Sequence, residues 1–214
     1  NFLYLSSGGL TALIALFCLF FFPNFKTETK QITKLVMRRR YWLYYALQFL
    51  SGARRQIFVV FAGFMMVEKF GFQVHQLTAL FLINLIINIF VAPIFGYFIA
   101  HFGERRALLI EYSGLICVFM AYGGIYLFDW GVTLAAVLFV LDHLFFGLRM
   151  ALKTYFQKIS SPEDIAPTAA VAFTINHIAA VFLPVLLGLL WLVSPAIVFM
   201  AAAFLAFLSF LLAL

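Results

Sequence analysis

The sequence predicts an all-α protein, a polytopic transmembrane helix bundle, and three observations lead to this prediction. Of the 214 residues, 66% are hydrophobic and only 10% are charged, whereas a soluble domain carries about 25% charged residues. The apolar residues are gathered into runs of about 20, the length that an α-helix needs to cross a bilayer. Most of the charged residues lie in the short gaps between these runs. Lipid is therefore the expected solvent for most of the chain.

Seven apolar runs are candidate membrane spans. They occupy residues 2–22, 41–67, 77–101, 107–128, 132–156, 167–191 and 196–214. We expect residues 1–23 to form one leading helix and residues 24–40 a basic linker. Residues 41–214 are expected to form a six-helix bundle whose last helix is truncated. Because the sequence begins at Asn1 and ends at Leu214 inside apolar runs, we expect it to be a fragment of a longer protein.

The charges in the gaps alternate along the chain and predict an orientation. The gap 24–40 is strongly basic, and Gly103-Glu104-Arg105-Arg106 and the stretch after Lys153 are the next basic connections on the same side. The gaps 68–71, 129–131 and 194–195 are poorer in basic residues. By the positive-inside rule the first set is cytoplasmic and the second set is outside. We expect an integral, multi-pass protein of the bacterial inner (plasma) membrane.

Several classes of function are disfavoured by the sequence. The net charge of +6 is spread over inter-span gaps without any nucleic-acid motif, so no nucleic-acid partner is expected. Cys18 and Cys117 lie singly inside apolar runs, which gives no disulfide framework and no metal site. The sequence contains no G-x-S-x-G, no H-E-x-x-H and no P-loop. We therefore expect neither an enzyme nor a cofactor.

The connection between the third and fourth spans reads Gly96-Tyr-Phe-Ile-Ala-His-Phe-Gly103-Glu-Arg105-Arg106. It resembles a weakened copy of the loop motif of the major facilitator superfamily, G-x-x-x-D-R-x-G-R-R/K. Gly96, Gly103 and Arg105 match, and Arg106 extends the basic end, whereas alanine and histidine replace the acidic and first basic positions. The glycines would let two helix ends approach closely, and the arginines could pair with carboxylates or lipid head groups. The alternative is a generic basic turn between two spans.

The resemblance implies an architecture for the whole chain. It identifies the leading helix as the sixth of twelve and the linker as the central loop. The remaining spans are then the C-terminal six-helix half, and the N-terminal half of the same chain is an expected partner, with membrane lipids. Residues 174–191 are also similar to the eleventh helix of many members. In this family the first, second, fourth and fifth helices of each half line the cavity, which are the second, third, fifth and sixth spans here.

Arg54, Arg55 and Gln56 lie near the middle of the second span. Ionisable side chains at such depth are functional candidates, because lipid disfavours them strongly. Arginine binds carboxylate and phosphate with a rigid fork, so these residues predict contacts to an anionic substrate. Since neighbours on a helix point about 100° apart, one arginine can face a cavity while the other pairs with an adjacent helix. The alternative is a helix broken or displaced here, with Ser51-Gly52 as the weak point and the arginines in a structural network.

The fifth span carries Asp142, His143 and Arg149, which we assign to proton coupling. A carboxylate and a histidine in a poorly solvated site can exchange protons near neutral pH. The spacing places Asp142, Phe146, Arg149 and Lys153 on one helical face. The alternative is a structural bridge from Asp142 to Arg54, Arg55 or Arg149.

Four further polar residues are predicted to contact the substrate. Asn84 and Asn88 lie one turn apart on the third span, and Asn176 and His177 are adjacent on the sixth. The alternative for such residues is a hydrogen bond between helices. Glu111 lies near the cytoplasmic end of the fourth span, and we expect it to pair with Arg105 or Arg106.

Together these features predict a secondary active transporter that works by alternating access. A small solute, with an anion favoured by the arginines, would bind at the midplane and move with protons. The competing hypotheses are a non-transporting accessory or structural subunit and a membrane-embedded enzyme.

Overall fold

The computed structural model describes residues 2–23, 35 and 37–214, and every regular element among them is helical. The predicted all-α fold is thereby confirmed. The chain divides into two units, Asn1–Gln31 and Ile32–Leu214, which are described separately. Residues 24–34, and with them Lys26, Lys30 and Lys34 of the predicted linker, lie outside the described residues.

The described part of the first unit is a single helix, α1 (Phe2–Phe21). Two hydroxyl groups in its first half bond back to the helix: Ser7 Oγ donates to Tyr4 O at 3.2 Å and Thr11 Oγ1 to Ser7 O at 2.8 Å. Such bonds let hydroxyl groups lie within an apolar helix without an unpaired donor.

The second unit contains eight further α-helices among the described residues, together with one π-helical and two 3₁₀ segments. The α-helices are α2 (Trp42–Gln56), α3 (Gly63–Glu68), α4 (Val74–Phe102), α5 (Glu104–Leu127), α6 (Val132–Gly147), α7 (Met150–Ile159), α8 (Ile165–Val193) and α9 (Pro195–Ala213). The π-helical segment Ile57–Ala62 joins α2 to α3, and 3₁₀ turns at Arg39–Tyr41 and Pro162–Asp164 precede α2 and α8.

These elements combine into spans close to the predicted ones. Within the described residues, seven helical stretches are long and apolar enough to cross a membrane. They are Tyr4–Phe21, Arg39–Glu68, Val74–Phe102, Glu104–Leu127, Val132–Ile159, Pro162–Val193 and Pro195–Ala213. A multi-pass membrane protein is the class that these stretches indicate.

The interior of the second unit has a polar layer between two apolar clusters. One cluster gathers around Phe58, Phe119 and Phe199, towards the ends of the helices at the α3–α4 turn. The other gathers around Tyr41, Tyr112 and Leu152, towards the opposite ends. Buried Arg54 and Asp142 each lie between the segments of their spans that enter the two clusters, and buried Glu111 lies between Leu108 and Tyr112 of the second cluster, close to Leu115 of the first. Because α2 packs along α8 and α5 packs along α9, the helices hold this layer in the middle of the bundle.

Polar contacts join the helix ends on the side where the basic gaps meet. Arg38 pairs with Asp164 at 2.7 Å, and Lys158 pairs with Glu104 at 2.6 Å. Arg40 Nη2 also donates to the carbonyl of Ile159 at 3.0 Å. The guanidinium of Arg38, beside the Asp164 carboxylate, has its pKa raised by the hydrogen bond to that group. The connections predicted to be cytoplasmic therefore share one end of the bundle.

The opposite end is joined by other contacts. Lys69 pairs with Asp129 at 2.8 Å, and its hydrogen bond lowers the pKa of that exposed carboxyl. Trp191 Nε1 donates to Glu68 Oε2 at 3.0 Å. Around the indole, the rings of Phe61, Phe64 and Tyr126 lie within 6 Å of its centroid.

Two spans depart from a regular α-helix at positions that the sequence did not indicate. The second span does not break at Ser51-Gly52, because α2 continues to Gln56 and the change to π-helix comes at Ile57. The fifth span is not one helix, because it turns at Leu148 and Arg149 between α6 and α7. Arg149 and Lys153 consequently leave the face that Asp142 occupies in α6.

The residues of the loop motif have different roles from those expected. Gly103 adopts φ +87°, a conformation that favours glycine, and so makes the turn between α4 and α5. A Cβ on Gly96 would meet no atom within 4 Å, so the predicted close approach of helices at Gly96 is wrong. Arg105 Nε donates to the carbonyl of Ala213 at 3.2 Å, and Arg106 is exposed.

Candidate functional site

The polar layer is centred on Arg54, whose side chain is only 1% exposed. Its Nη2 donates to Glu111 Oε1 at 3.5 Å, and its guanidinium lies 4.5 Å from the centre of the Tyr112 ring. The expected partnership of Glu111 with Arg105 or Arg106 is therefore wrong. The reason is that Glu111 points into the bundle, where it is fully buried, and not towards the loop.

Asp142 is the second buried carboxylate of the layer, contributed by α6 and 1% exposed. Its Oδ2 has no hydrogen-bond partner among the described residues. The charge of Arg54 acts on Asp142, but no cation of the described residues forms an ion pair with it within 4.0 Å. The alternative of a bridge from Asp142 to Arg54, Arg55 or Arg149 is thus not formed in this structure.

Several polar atoms of this layer are buried without partners among the described residues. They are Arg54 Nε and Nη1, Glu111 Oε2 and Asp142 Oδ2, with the hydroxyl of Tyr122. Buried polar groups are nearly always hydrogen-bonded, and exceptions are concentrated where a protein has a functional use for them. A group of charges held in this way in a membrane interior is a candidate site.

Beside this layer lies a cleft of about 250 Å³ between α2, α7 and α8. Its lining is rich in cations and in uncharged hydrogen-bonding groups. The lining residues are Tyr44, Gln48, Arg55, Arg149, Lys153, Ala169, Ala172, Phe173, Asn176 and His177. Three of these residues carry a permanent positive charge, and none of the described lining residues is acidic. The cleft is therefore electrostatically suited to an anion.

The two adjacent arginines of α2 have separate environments. Arg54 lies inside the bundle against Glu111, and Arg55, one position further along the helix, is exposed and lines the cleft. This divergence follows from the rotation of about 100° between neighbouring helical residues. Arg55 is thereby available to a ligand, whereas Arg54 pairs with a buried carboxylate inside the bundle.

The wall between α2 and α8 is fixed by an unusually close contact. A Cβ on Gly52 would lie 2.7 Å from the carbonyl oxygen of Asn176. At this contact the Asn176 amide Nδ2 donates to the carbonyl of Gln48 at 3.2 Å. The Gln48 amide donates in turn to the Tyr44 hydroxyl at 3.1 Å. Glycine at position 52 therefore permits the helix approach that forms this side of the cleft.

The third wall is provided by the turn between α6 and α7. Leu148 N and Arg149 N donate to the carbonyls three residues earlier, at 3.1 Å each, which tightens the helix before α7 begins. The Arg149 guanidinium lies 4.8 Å from the centre of the Phe146 ring. Lys153 follows one turn later on α7 and also lines the cleft.

Of the residues predicted to bind substrate, the structure brings Arg55, Asn176 and His177 together in the cleft. His177 Nδ1 is 2.9 Å from the carbonyl of Phe173, and the two rings lie tilted against each other with their centroids 4.0 Å apart. Arg149, predicted for proton coupling, lies in the same cleft. Arg54 does not line it.

The remaining predicted residues lie elsewhere. Asn84 is buried in α4 with both amide atoms unpartnered among the described residues. Asn88 and Gln56 are half-buried. His143 is also half-buried, with its ring centroid 6.0 Å from that of Phe58. None of these four residues is among the described lining of the cleft.

Sequence reasoning assigned no site role to Glu111, Gln48, Tyr44 or Lys153. Glu111 and Lys153 were noticed, but their positions depend on which helices meet and on the turn at Leu148 and Arg149. Gln48 and Tyr44 lie one and two turns before Gly52, on the same face of α2. The sequence could have identified them as site residues only if the packing of α8 on that face had been known.

Comparison with family models, with curated proteins and with solved structures finds no match for this chain.

Proposed function

We propose that this chain belongs to a secondary active transporter that moves a small anion across the bacterial inner membrane by alternating access, coupled to protons. The observation that carries the proposal is the cleft with Arg55, Arg149 and Lys153 among its walls and no acidic residue among its described lining. Three cations that share a cleft without an acidic lining residue repel one another. A bound anion would offset this repulsion, so the charge of the cleft favours anion binding.

The position of the cleft supports transport over a surface role. Arg55 lies midway along the span Arg39–Glu68, and Asn176 lies near the middle of Pro162–Val193. Binding sites of secondary transporters lie near the bilayer midplane between helices. A purely structural subunit has no evident need for an exposed arginine such as Arg55 at this depth, because a charge there costs several kcal/mol in lipid.

The helices that form the cleft support a likeness to the major facilitator superfamily. They are α2, α7 and α8, which belong to the second, fifth and sixth spans. In a C-terminal half of that family these would be the first, fourth and fifth helices, three of the four that line the cavity. The proposed partner is the N-terminal half of such a carrier, which would complete the other wall of the path.

The chemistry of the cleft favours a compact anion with a carboxylate or phosphate-like group. Arg55 and Arg149 can each offer two parallel N–H donors to such a group. Lys153 adds a point charge, and the Asn176 and Gln48 side chains lie beside the cations for neutral hydrogen bonds. The Tyr44 and Phe173 rings limit the width of the space for the rest of the solute.

The test is anion binding and uptake by the full-length purified protein. Sulfate, inorganic phosphate, lactate and succinate form a suitable panel, with binding measured by isotope-labelled anion and uptake measured in proteoliposomes. Arg55→Gln should weaken binding about 10- to 150-fold, the loss expected when a charge-assisted hydrogen bond of about 1.5–3 kcal/mol is removed. Arg106→Gln, an exposed arginine outside the cleft, is the matched control and should bind as the unaltered protein does. Equal binding by both variants would contradict the proposal.

A further inference from the structure

We propose that Glu111 is the carboxylate through which a proton is coupled to the anion in the cleft. The inference rests on the proposed function and assigns coupling to a residue outside the cleft. Glu111 lies on α5, is fully buried, and is absent from the cleft lining.

Glu111 is connected to the cleft by Arg149. Two cations act on the Glu111 carboxylate: Arg54, which donates to it at 3.5 Å, and Arg149. Arg149 also lines the cleft, beside Arg55, whose charge acts on it. One guanidinium thus lines the space for the anion and acts electrostatically on the buried carboxylate.

Among the helices packed against α5, α6 carries half-buried His143 and α7 carries Lys153, Tyr155 and Lys158. Of these, Lys153 lines the cleft and Lys158 pairs with Glu104 at the bundle end. From α6, Asp142 shares the charge of Arg54; on α5 itself, the Tyr112 ring lies beneath that arginine. The sequence of α9, which packs along α5, holds no titratable residue. On α4 the titratable side chains His75, Tyr97 and His101 are exposed near the helix ends. His177 of α8 is exposed and lines the cleft.

The balance of charge determines the direction of coupling. While the cleft is empty, Arg54 and Arg149 both stabilise the Glu111 carboxylate. An anion bound to Arg149 offsets that second charge, and Arg54 is then shared between two buried carboxylates. An unpaired carboxylate is strongly disfavoured in such a site, so Glu111 takes one proton from water and forms a neutral carboxylic acid. When the anion leaves, the O–H bond breaks and the proton returns to water. Anion and proton therefore bind and leave together, as in symport.

The test is the pH dependence of anion binding in the full-length protein. Sulfate and lactate are the probes, because neither changes its own charge between mildly acidic and mildly alkaline pH. Binding should weaken as the pH rises, by about 5- to 150-fold between the two limits, the usual range for coupling between two sites. Glu111→Gln mimics the protonated acid and should bind the anion tightly at every pH. Glu104→Gln, which removes a carboxylate paired with Lys158 at the bundle end, should keep the pH dependence.

The outcomes separate this inference from the proposed function. If Glu111→Gln keeps the pH dependence while Arg55→Gln weakens binding, the coupling role of Glu111 is overturned and anion binding in the cleft is supported. If neither probe binds at any pH, both proposals are overturned. If Glu111→Gln does not fold, infrared spectroscopy of the unaltered protein decides: the C=O band of a protonated carboxyl should grow when sulfate is added, and an unchanged band overturns the inference.

Discussion

At the scale of single residues, the two arginines of α2 show what the sequence could and could not predict. Their depth in the span marked both as candidates, and helical rotation predicted that they would diverge. Which one would face inward depended on the partner, and Glu111 was expected near the loop. Its pairing with Arg54 at 3.5 Å arises from the assembly of the helices in three dimensions, which the sequence pattern of either helix alone does not contain.

Asp142→Asn should abolish uptake driven by a pH gradient and leave exchange of one anion for another intact. The substitution removes the second carboxylate that shares Arg54, so the ion pair of Arg54 with Glu111 becomes permanent and Glu111 no longer accepts a proton. The measurement is uptake in proteoliposomes with and without a pH gradient. Asp129→Asn, at an exposed carboxylate outside the spans, is the control. Unchanged gradient-driven uptake by Asp142→Asn would remove Asp142 from coupling.

At the scale of elements, the spans were predictable and their interruptions were not. Runs of apolar residues determine where a helix crosses lipid, and every predicted span overlaps an observed one. The π-helical segment Ile57–Ala62 and the turn at Leu148 and Arg149 have no equivalent signal, because neither contains the proline that usually marks a helix interruption. Both depend on tertiary contacts, and π-helical insertions are often found at functional sites.

Gly52→Ala should destabilise the bundle by about 1–3 kcal/mol, the usual consequence of overpacking a close contact. The added methyl group would lie 2.7 Å from a backbone oxygen of α8, which cannot move without displacing the helix. Gly96→Ala is the matched control, since a Cβ there meets nothing within 4 Å and alanine favours a helix by about 1 kcal/mol over glycine. Denaturation of the purified protein in detergent measures both. Equal stability of the two variants would mean that α2 and α8 are not in close contact at Gly52.

At the scale of the whole second unit, charged side chains lie at three heights along the bundle: at each of its two ends and in the layer around Arg54. Ion pairs join the helix ends on both sides, and the Arg54 layer lies between two apolar clusters. The end that carries Arg38, Lys158 and Arg105 is the basic one. The positive-inside rule assigns that end to the cytoplasm.

Cysteine labelling should reveal this orientation in intact cells. A cysteine at Asp129 should react with a membrane-impermeant maleimide added outside, and a cysteine at Arg106 should react only after the cells are permeabilised. Cys18 and Cys117 lie within spans and should be replaced by serine first to remove background. The reverse pattern would invert the topology and place the basic end outside.

The π-helical segment sets the two halves of its span out of phase. Such a turn holds one residue more than an α-helical turn, and each residue adds about 100° of rotation. Ile57–Ala62 therefore fixes the rotation of α2, which carries Arg54 and Arg55, relative to α3 about the helix axis. Removing one residue from it would rotate Arg54 and Arg55 by one position about the axis. Arg54 would then take the place of Arg55 on the cleft wall and Ala53 the buried place of Arg54, so that Glu111 would lose its partner while the cleft kept its charge.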